Sequence, residues 1–204
     1  MSYSKFTIED LESKFGVRQV FKPSLFSSVK PKPIGDWLKS LLIETVPFAL
    51  MNDSEKARSE YIIAPVFFEL RKQSKEQLSV FSGIEFNVDR KNSLTGECDF
   101  LVSRSDNQTF LEAPVVVAVE AKRQDFKKGY VQCIAEMIAA RKFNEQRNKL
   151  FDVVYGCVTT GDAWRFLYLK EKKAFIDTTT FDLNEDLERI LGILWAMSFG
   201  EIDK

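Results

Sequence analysis

An acid and a base stand two residues apart near the middle of the chain, in Glu120-Ala121-Lys122, at the end of the apolar run Val115–Val119. Side chains alternate across a strand, so Glu120 and Lys122 would share one face while Ala121 points to the other. Charges are costly to bury without partners, which places both in a solvent-accessible site. Asp99 lies in an earlier apolar segment, Glu97–Val102, separated from this run by the turn-forming residues Ser105–Gln108. If the two segments pair as neighbouring strands, roughly 4.8 Å apart, Asp99 and Glu120 converge at a spacing one divalent cation can bridge. Two carboxylates and the carbonyl oxygen of Ala121 form a hard, all-oxygen donor set suited to Mg²⁺, with Mn²⁺ as a substitute. Lys122 would then lie beside the attacking water, able to position it or help remove its proton. The plainer explanation is a Glu120–Lys122 ion pair at a strand end, with Asp99 an ordinary acid near a turn. For a bare E-x-K that explanation usually wins. Here an apolar strand before it, an acid on the previous strand and a helix after it add context.

The elements that would position these residues follow from periodicity. Leu78–Val88, Glu97–Val102 and Pro114–Lys122 read as three strands joined by the turns Arg90–Gly96 and Ser105–Gln108, hence antiparallel neighbours. A helix from about Lys127 to Asn144 leads to a strand at Val153–Thr159, a crossover that makes this strand parallel to the third. A turn at Gly161, strands at Trp164–Leu169 and Ala174–Thr178, and a helix from Leu183 to about Met197 complete the core. Upstream, Thr7 can cap a helix reaching Phe15, and Pro23, Pro31 and Pro33 mark an extended connection. Trp37, Leu41, Leu42 and Ile43 suggest a helix that Pro47 disturbs or ends. Ser54 can cap a third helix running to about Gln73, kinked at Pro65 by the missing backbone donor. The expected class is α/β, a mixed sheet with helices on both faces and an N-terminal helical extension. The expected division is 1–53 extension, 54–180 core and 181–204 C-terminal helix, within one domain.

Composition narrows the chemistry. The chain has 204 residues and no histidine, which excludes Ser-His-Asp and Cys-His nucleophiles and imidazole-ligated zinc. The three cysteines, Cys98, Cys133 and Cys157, are widely spaced within apolar stretches and read as small buried hydrophobes. No apolar run is long enough to span a bilayer and the first residues lack a signal-peptide core, so a cytoplasmic location is expected. The net charge is −1, so any nucleic-acid binding must rest on local basic patches. Two such clusters occur, Lys122, Arg123, Lys127 and Lys128, then Arg141, Lys142, Arg147 and Lys149. They read either as solvated helical faces, with Glu136 and Glu145 as counter-charges, or as phosphate contacts, the first being favoured by its place beside Glu120.

Gly96-Glu97-Cys98-Asp99-Phe100 followed by Val116-Val117-Ala118-Val119-Glu120-Ala121-Lys122 resembles the PD-(D/E)XK nuclease superfamily, the restriction endonuclease-like proteins. The resemblance runs from roughly Ser54 to Leu169. The stretch Thr159–Phe166 is similar to a turn that follows the core in several restriction-type members. Cys98 stands where the proline that names the motif would be. The resemblance implies a restriction endonuclease-like core, metal ligation by Asp99 and Glu120, and Lys122 as the catalytic lysine. It also implies a glutamate on the preceding helix, matched by Glu60, and a glutamine on the following helix, matched by Gln132. Glu69 and Glu97 compete with Glu60 for the first of these places.

The expected function is that of a Mg²⁺-dependent endonuclease hydrolysing DNA phosphodiester bonds, of restriction or repair type. The alternative is a non-catalytic nuclease-fold module that binds DNA or a protein. DNA is the expected partner and a membrane is not. A homodimer is a corollary, because a symmetric cut in duplex DNA needs two sites.

Overall fold

A computed structural model describes residues 2–122 and 124–202, so Arg123 of the first basic cluster lies outside the described residues. The chain forms an eight-stranded mixed sheet. Its strands are β1 (Arg18–Lys22), β2 (Ser79–Glu85), β3 (Glu97–Ser103), β4 (Val115–Ala121), β5 (Val153–Thr159), β6 (Ala163–Lys170), β7 (Lys173–Asp177) and β8 (Phe181–Asp182). The order across the sheet is β1-β7-β6-β5-β4-β3-β2, with β8 paired to β6. β2, β3 and β4 form the expected antiparallel meander, and β5 lies parallel to β4. All seven residues of β4 and all seven of β5 are buried, as expected of near-continuous apolar strands covered on both faces.

Helices α1 (Ile8–Phe15), α2 (Asp36–Asn52), α3 (Glu55–Arg58), α4 (Ala64–Gln73), α5 (Phe126–Glu145) and α6 (Leu183–Phe199) cover the sheet. One core gathers residues of α2, α3, α4 and α6 with Phe100, Val117, Val119 and Ala121. The other gathers residues of α1 and α5 with Cys98, Leu101, Ala118 and Val158. The crossover helix α5 therefore covers the face to which Ala118 and Glu120 belong. All three cysteines are buried. No helix among the described residues is long and apolar enough to cross a membrane.

Several expectations need correction. The segment before α2 is not only helical or extended. β1 pairs in parallel with β7, from Arg18 opposite Lys173 to Lys22 opposite Asp177. That partner lies some 155 positions along the chain, a pairing no local pattern signals. Pro47 lies within α2, which continues to Asn52. The helix beginning at Ser54 does have its cap, since the Ser54 hydroxyl accepts from Ala57 N at 3.1 Å. It does not run regularly to Pro65, however. A π-helical turn, Ser59–Ile63, separates α3 from α4, and Pro65 falls in the first turn of α4, where its missing N–H is harmless. The Tyr61 carbonyl, which a Pro65 N–H would have bonded in a continuous helix, accepts instead from the Thr45 hydroxyl at 2.7 Å.

α3 is tied to the far end of the sheet by one buried cation. Arg58, 9% exposed, donates to Thr160 O at 2.7 Å and to Asp162 Oδ1 at 2.9 Å, and pairs with Asp53 at 3.4 Å. These bonds clamp the turn that joins β5 to β6, in which Gly161 has φ +86°. Arg58→Met keeps most of the packing volume and leaves the buried Thr160 carbonyl without its donor. It is expected to lower unfolding free energy by about 2–4 kcal/mol, read from urea denaturation. A loss below about 0.5 kcal/mol would show that the clamp is not structural.

Candidate active site

The carboxyl end of β4 lies between the amino end of β3 and the carboxyl end of β5. The β3–β4 ladder runs as far as Phe100 opposite Val119. Beyond it, the backbone N–H of Ala121 is taken by a side chain: Asp99 Oδ2 accepts it at 2.7 Å. A carboxylate thus replaces a strand carbonyl where the two strands part. The opening is a cavity of about 270 Å³ lined by Asp99, Ala121, Glu55, Glu60, Glu97 and neighbours.

Glu120 is 1% exposed and pairs with the ammonium of Lys122, whose side chain is 19% exposed. Glu120 is the penultimate residue of β4, Lys122 follows its last residue, and their ion pair is consistent with the shared face that alternation predicts. Neither is in the wall of the 270 Å³ cavity, which Asp99 and Ala121 line. Behind Glu120 lies an acid that sequence reasoning placed in solvent. Glu136, on α5, is fully buried, not an exposed counter-charge. Gln132 Nε2 donates to Glu136 Oε1 at 3.1 Å, so the glutamine meets the site through Glu136. The acids Asp99, Glu120 and Glu136 form a chain of neighbouring carboxyls.

Buried carboxyls in contact cannot all be ionised at ordinary cost. Burial, and then the charge of Asp99, push Glu120 up to about 8. Burial, and then Glu120, push Glu136 well above the usual range. Burial also raises Asp99, opposed by the Ala121 N–H and by Lys122. Burial pulls Lys122 down, but Glu120 outweighs it and the net shift is upward, so the lysine remains an ammonium. Ionised, each acid–acid contact sets acceptor against acceptor. Among the described residues Glu120 Oε2 and Glu136 Oε2 are then buried without a hydrogen-bond donor, and Glu120 Oε1 has the ammonium of Lys122 alone.

That deficit is what a cation would relieve. Among the described residues no group of three or more Cys, Asp or Glu side chains is arranged to hold a metal ion. The oxygen groups that could be offered to a cation there are fewer, the neighbouring carboxyls of Asp99 and Glu120 and the carbonyl of Ala121.

The helix acids separate clearly. Glu60 lines the cavity but is half exposed and pairs with Lys56 at 2.9 Å. Glu69 is buried elsewhere, accepting from Gly35 N at 2.9 Å, from Gln73 Nε2 at 2.6 Å and from Trp37 Nε1 at 2.5 Å. It is a structural acceptor that holds α4 to the start of α2. Glu55 was missed, although it lines the cavity and its charge acts on both Asp99 and Lys122. Its place directly after the Ser54 cap was the available signal.

Arg165 was also missed. Glu120 lies opposite Val158 on β5, and Val158 lies opposite Arg165 on β6, so the three form a row across one face of the sheet. The guanidinium stacks over Phe126 at 4.5 Å and bonds the Tyr130 hydroxyl at 3.0 Å and the Thr180 hydroxyl at 2.8 Å. The second basic cluster is remote and engaged: Lys142 pairs with Asp89, Arg141 bonds Glu171 O, and Arg147 stacks on Phe143.

A close helix–strand approach keeps Lys122 in place. A Cβ on Gly129 of α5 would lie 2.5 Å from Val158 Cγ1 and 3.2 Å from Lys122 Cγ. Alanine in a helix ordinarily gains about 1 kcal/mol over glycine. Gly129→Ala is instead expected to destabilise by about 1–3 kcal/mol, because α5 must lift from β5. Adding Val158→Ala should return part of the loss in a double-mutant cycle of thermal melts. A single variant as stable as the parent would show that α5 is not closely seated.

No family model and no curated protein sequence matches the chain.

Proposed function

We propose that this protein is a metal-dependent endonuclease that hydrolyses phosphodiester bonds of DNA, of restriction or repair type, with a restriction endonuclease-like core. The observation that carries the reading is Glu120, a buried carboxyl held between Asp99 and the Lys122 ammonium at the end of β4, with one oxygen that no described donor satisfies. The motif resemblance and the order of strands and crossover around it support the same reading. Asp99, Glu120 and the Ala121 carbonyl would hold Mg²⁺ or Mn²⁺. When bound, such an ion neutralises phosphate charge and acidifies a water. Asp99 keeps its carboxylate oriented by accepting the Ala121 N–H. Lys122, an ammonium among the acids Glu120, Asp99 and Glu55, is suited to donate a hydrogen bond to a phosphoryl oxygen or to orient the attacking water rather than to act as a base. Gln132 and Glu136 brace Glu120 from behind.

A second reading, a nuclease-fold module binding DNA or protein without turnover, is favoured by one feature. The cavity at Asp99 carries four acids, Glu55, Glu60, Glu97 and Asp99, against one described lysine, Lys56. Cleavage separates the two. Incubation with plasmid and with single-stranded DNA in Mg²⁺ or Mn²⁺ should give products that EDTA suppresses. Absence of cleavage on both, with cation binding intact, would favour the module.

A further inference from the structure

We propose that the cavity between α2, α4 and β2 holds one unpaired nucleobase of the strand whose phosphodiester lies at Asp99. The inference rests on the nuclease reading and adds a substrate class to it. This second cavity measures about 600 Å³, ample for a base. Its walls are largely apolar and include Trp37, Phe68 and Phe100, with Pro65 and Val80. Trp37 and Phe68 meet edge to face at 5.5 Å, and Phe68 is 56% exposed, an aromatic surface facing open space.

Position supplies the occupant. Glu60 and Ser82 line both this cavity and the one at Asp99, so the two are adjacent. Ser82 and Val80 are alternate residues of β2 on one face, about 7 Å apart along the strand. That is comparable to the reach from a phosphate to its own base. A phosphodiester at Asp99 therefore brings a neighbouring base to the aromatic wall. The base must leave its stack and its partner to enter between helix and sheet edge, so the substrate is single-stranded, frayed or bulged at that nucleotide.

The polar groups of the wall also define what kind of recognition occurs. Gln108 is spent on the sheet edge: its Oε1 accepts from Val80 N and Arg71 Nε, each at 3.1 Å, and its Nε2 donates to Val80 O at 2.6 Å. Arg71 is in turn 3.6 Å from Glu76. With Gln108 and Arg71 engaged, the polar groups left are Ser82 and Glu60 on the side toward Asp99, and the aromatic wall offers stacking, which is tolerant of base identity.

The test uses the full chain with a labelled single-stranded oligonucleotide, in Ca²⁺ for binding by anisotropy and in Mn²⁺ to map the cut. A series with one abasic site walked along the strand should show one position, at a constant offset from the cut, where affinity falls about tenfold. Phe68→Ala should weaken the intact strand by a similar factor and should abolish the extra loss at that position. Its fold is checked by thermal melting. A fully paired duplex should bind more weakly than the single strand. Phe68→Ala binding as the parent does, or an abasic series with no Phe68-dependent position, would overturn the base pocket, and cleavage persisting in that case would leave the nuclease reading intact. Phe68-dependent base binding without cleavage would instead retain the pocket and remove the hydrolytic reading. No binding of any strand would remove both.

Discussion

Asp99→Ala and Lys122→Ala are each expected to lower Mn²⁺-dependent DNA cleavage by at least about a thousandfold, the scale on which loss of a group acting on transition-state charge is felt. The two should differ in how they fail. Removing Asp99 deletes a carboxylate from the donor set, so calorimetry with Mn²⁺ should show weakened binding. Removing Lys122 leaves both carboxylates, and binding should stay near normal. Asp99 also accepts the Ala121 N–H, so alanine leaves that donor unpaired at about 1–3 kcal/mol. Asp99→Asn keeps an acceptor oxygen for that bond, and serves as the variant in which loss of activity cannot be ascribed to loss of fold. EDTA-resistant cleavage by the parent, or full activity in any of the three variants, would show that this constellation is not the catalyst.

Raising the pH should destabilise the metal-free protein. Glu120 has its carboxyl pushed up to about 8 in the fold, against an ordinary value of 4.5. Between those two values the folded state holds a proton that the unfolded chain has released. Stability contributed by the neutral carboxyl is therefore full below about pH 4.5 and is lost as pH rises through about 8. Asp99 and Glu136 are shifted in the same direction and act with the same sign. The fall from pH 5 to pH 8.5 should be on the order of 3–5 kcal/mol, about 10 °C in melting temperature for a chain of this size. Glu120→Gln, which carries no titrating proton, should flatten part of that slope and leave the share of Asp99 and Glu136. Mn²⁺ should raise the melting temperature more at pH 8.5 than at pH 5, because only the ionised carboxyls bind it well. A parent protein with equal stability at both pH values, or a Glu120→Gln variant with an unchanged slope, would mean that the carboxyl cluster is not held as described.

Alternation and periodicity along the chain by themselves determined the strand at Pro114–Lys122, its acid and base on a shared face, the meander that brings Asp99 to it and the crossover to Val153–Thr159. These depend on neighbours in sequence: side chains alternate with period two, and short turns leave few ways to connect. Glu136 shows where such reasoning stops. In the sequence it is one more charge on a helix rich in lysine and arginine, and its burial depends on which side of α5 meets β4, a sum over contacts from distant segments. The same holds for β1, whose partner β7 is remote in the chain. It holds for the helix acids too: Glu55, Glu60 and Glu69 are equivalent by residue type, but the π turn at Ser59–Ile63 rotates the helix between them. That turn sends Glu69 to Gly35, Trp37 and Gln73 and leaves Glu55 and Glu60 at the cavity. Residue type and local order determined which groups could do the chemistry. Tertiary packing alone decided which of them are taken out of water and pressed together, because desolvation and charge coupling arise only where chain segments far apart in sequence meet.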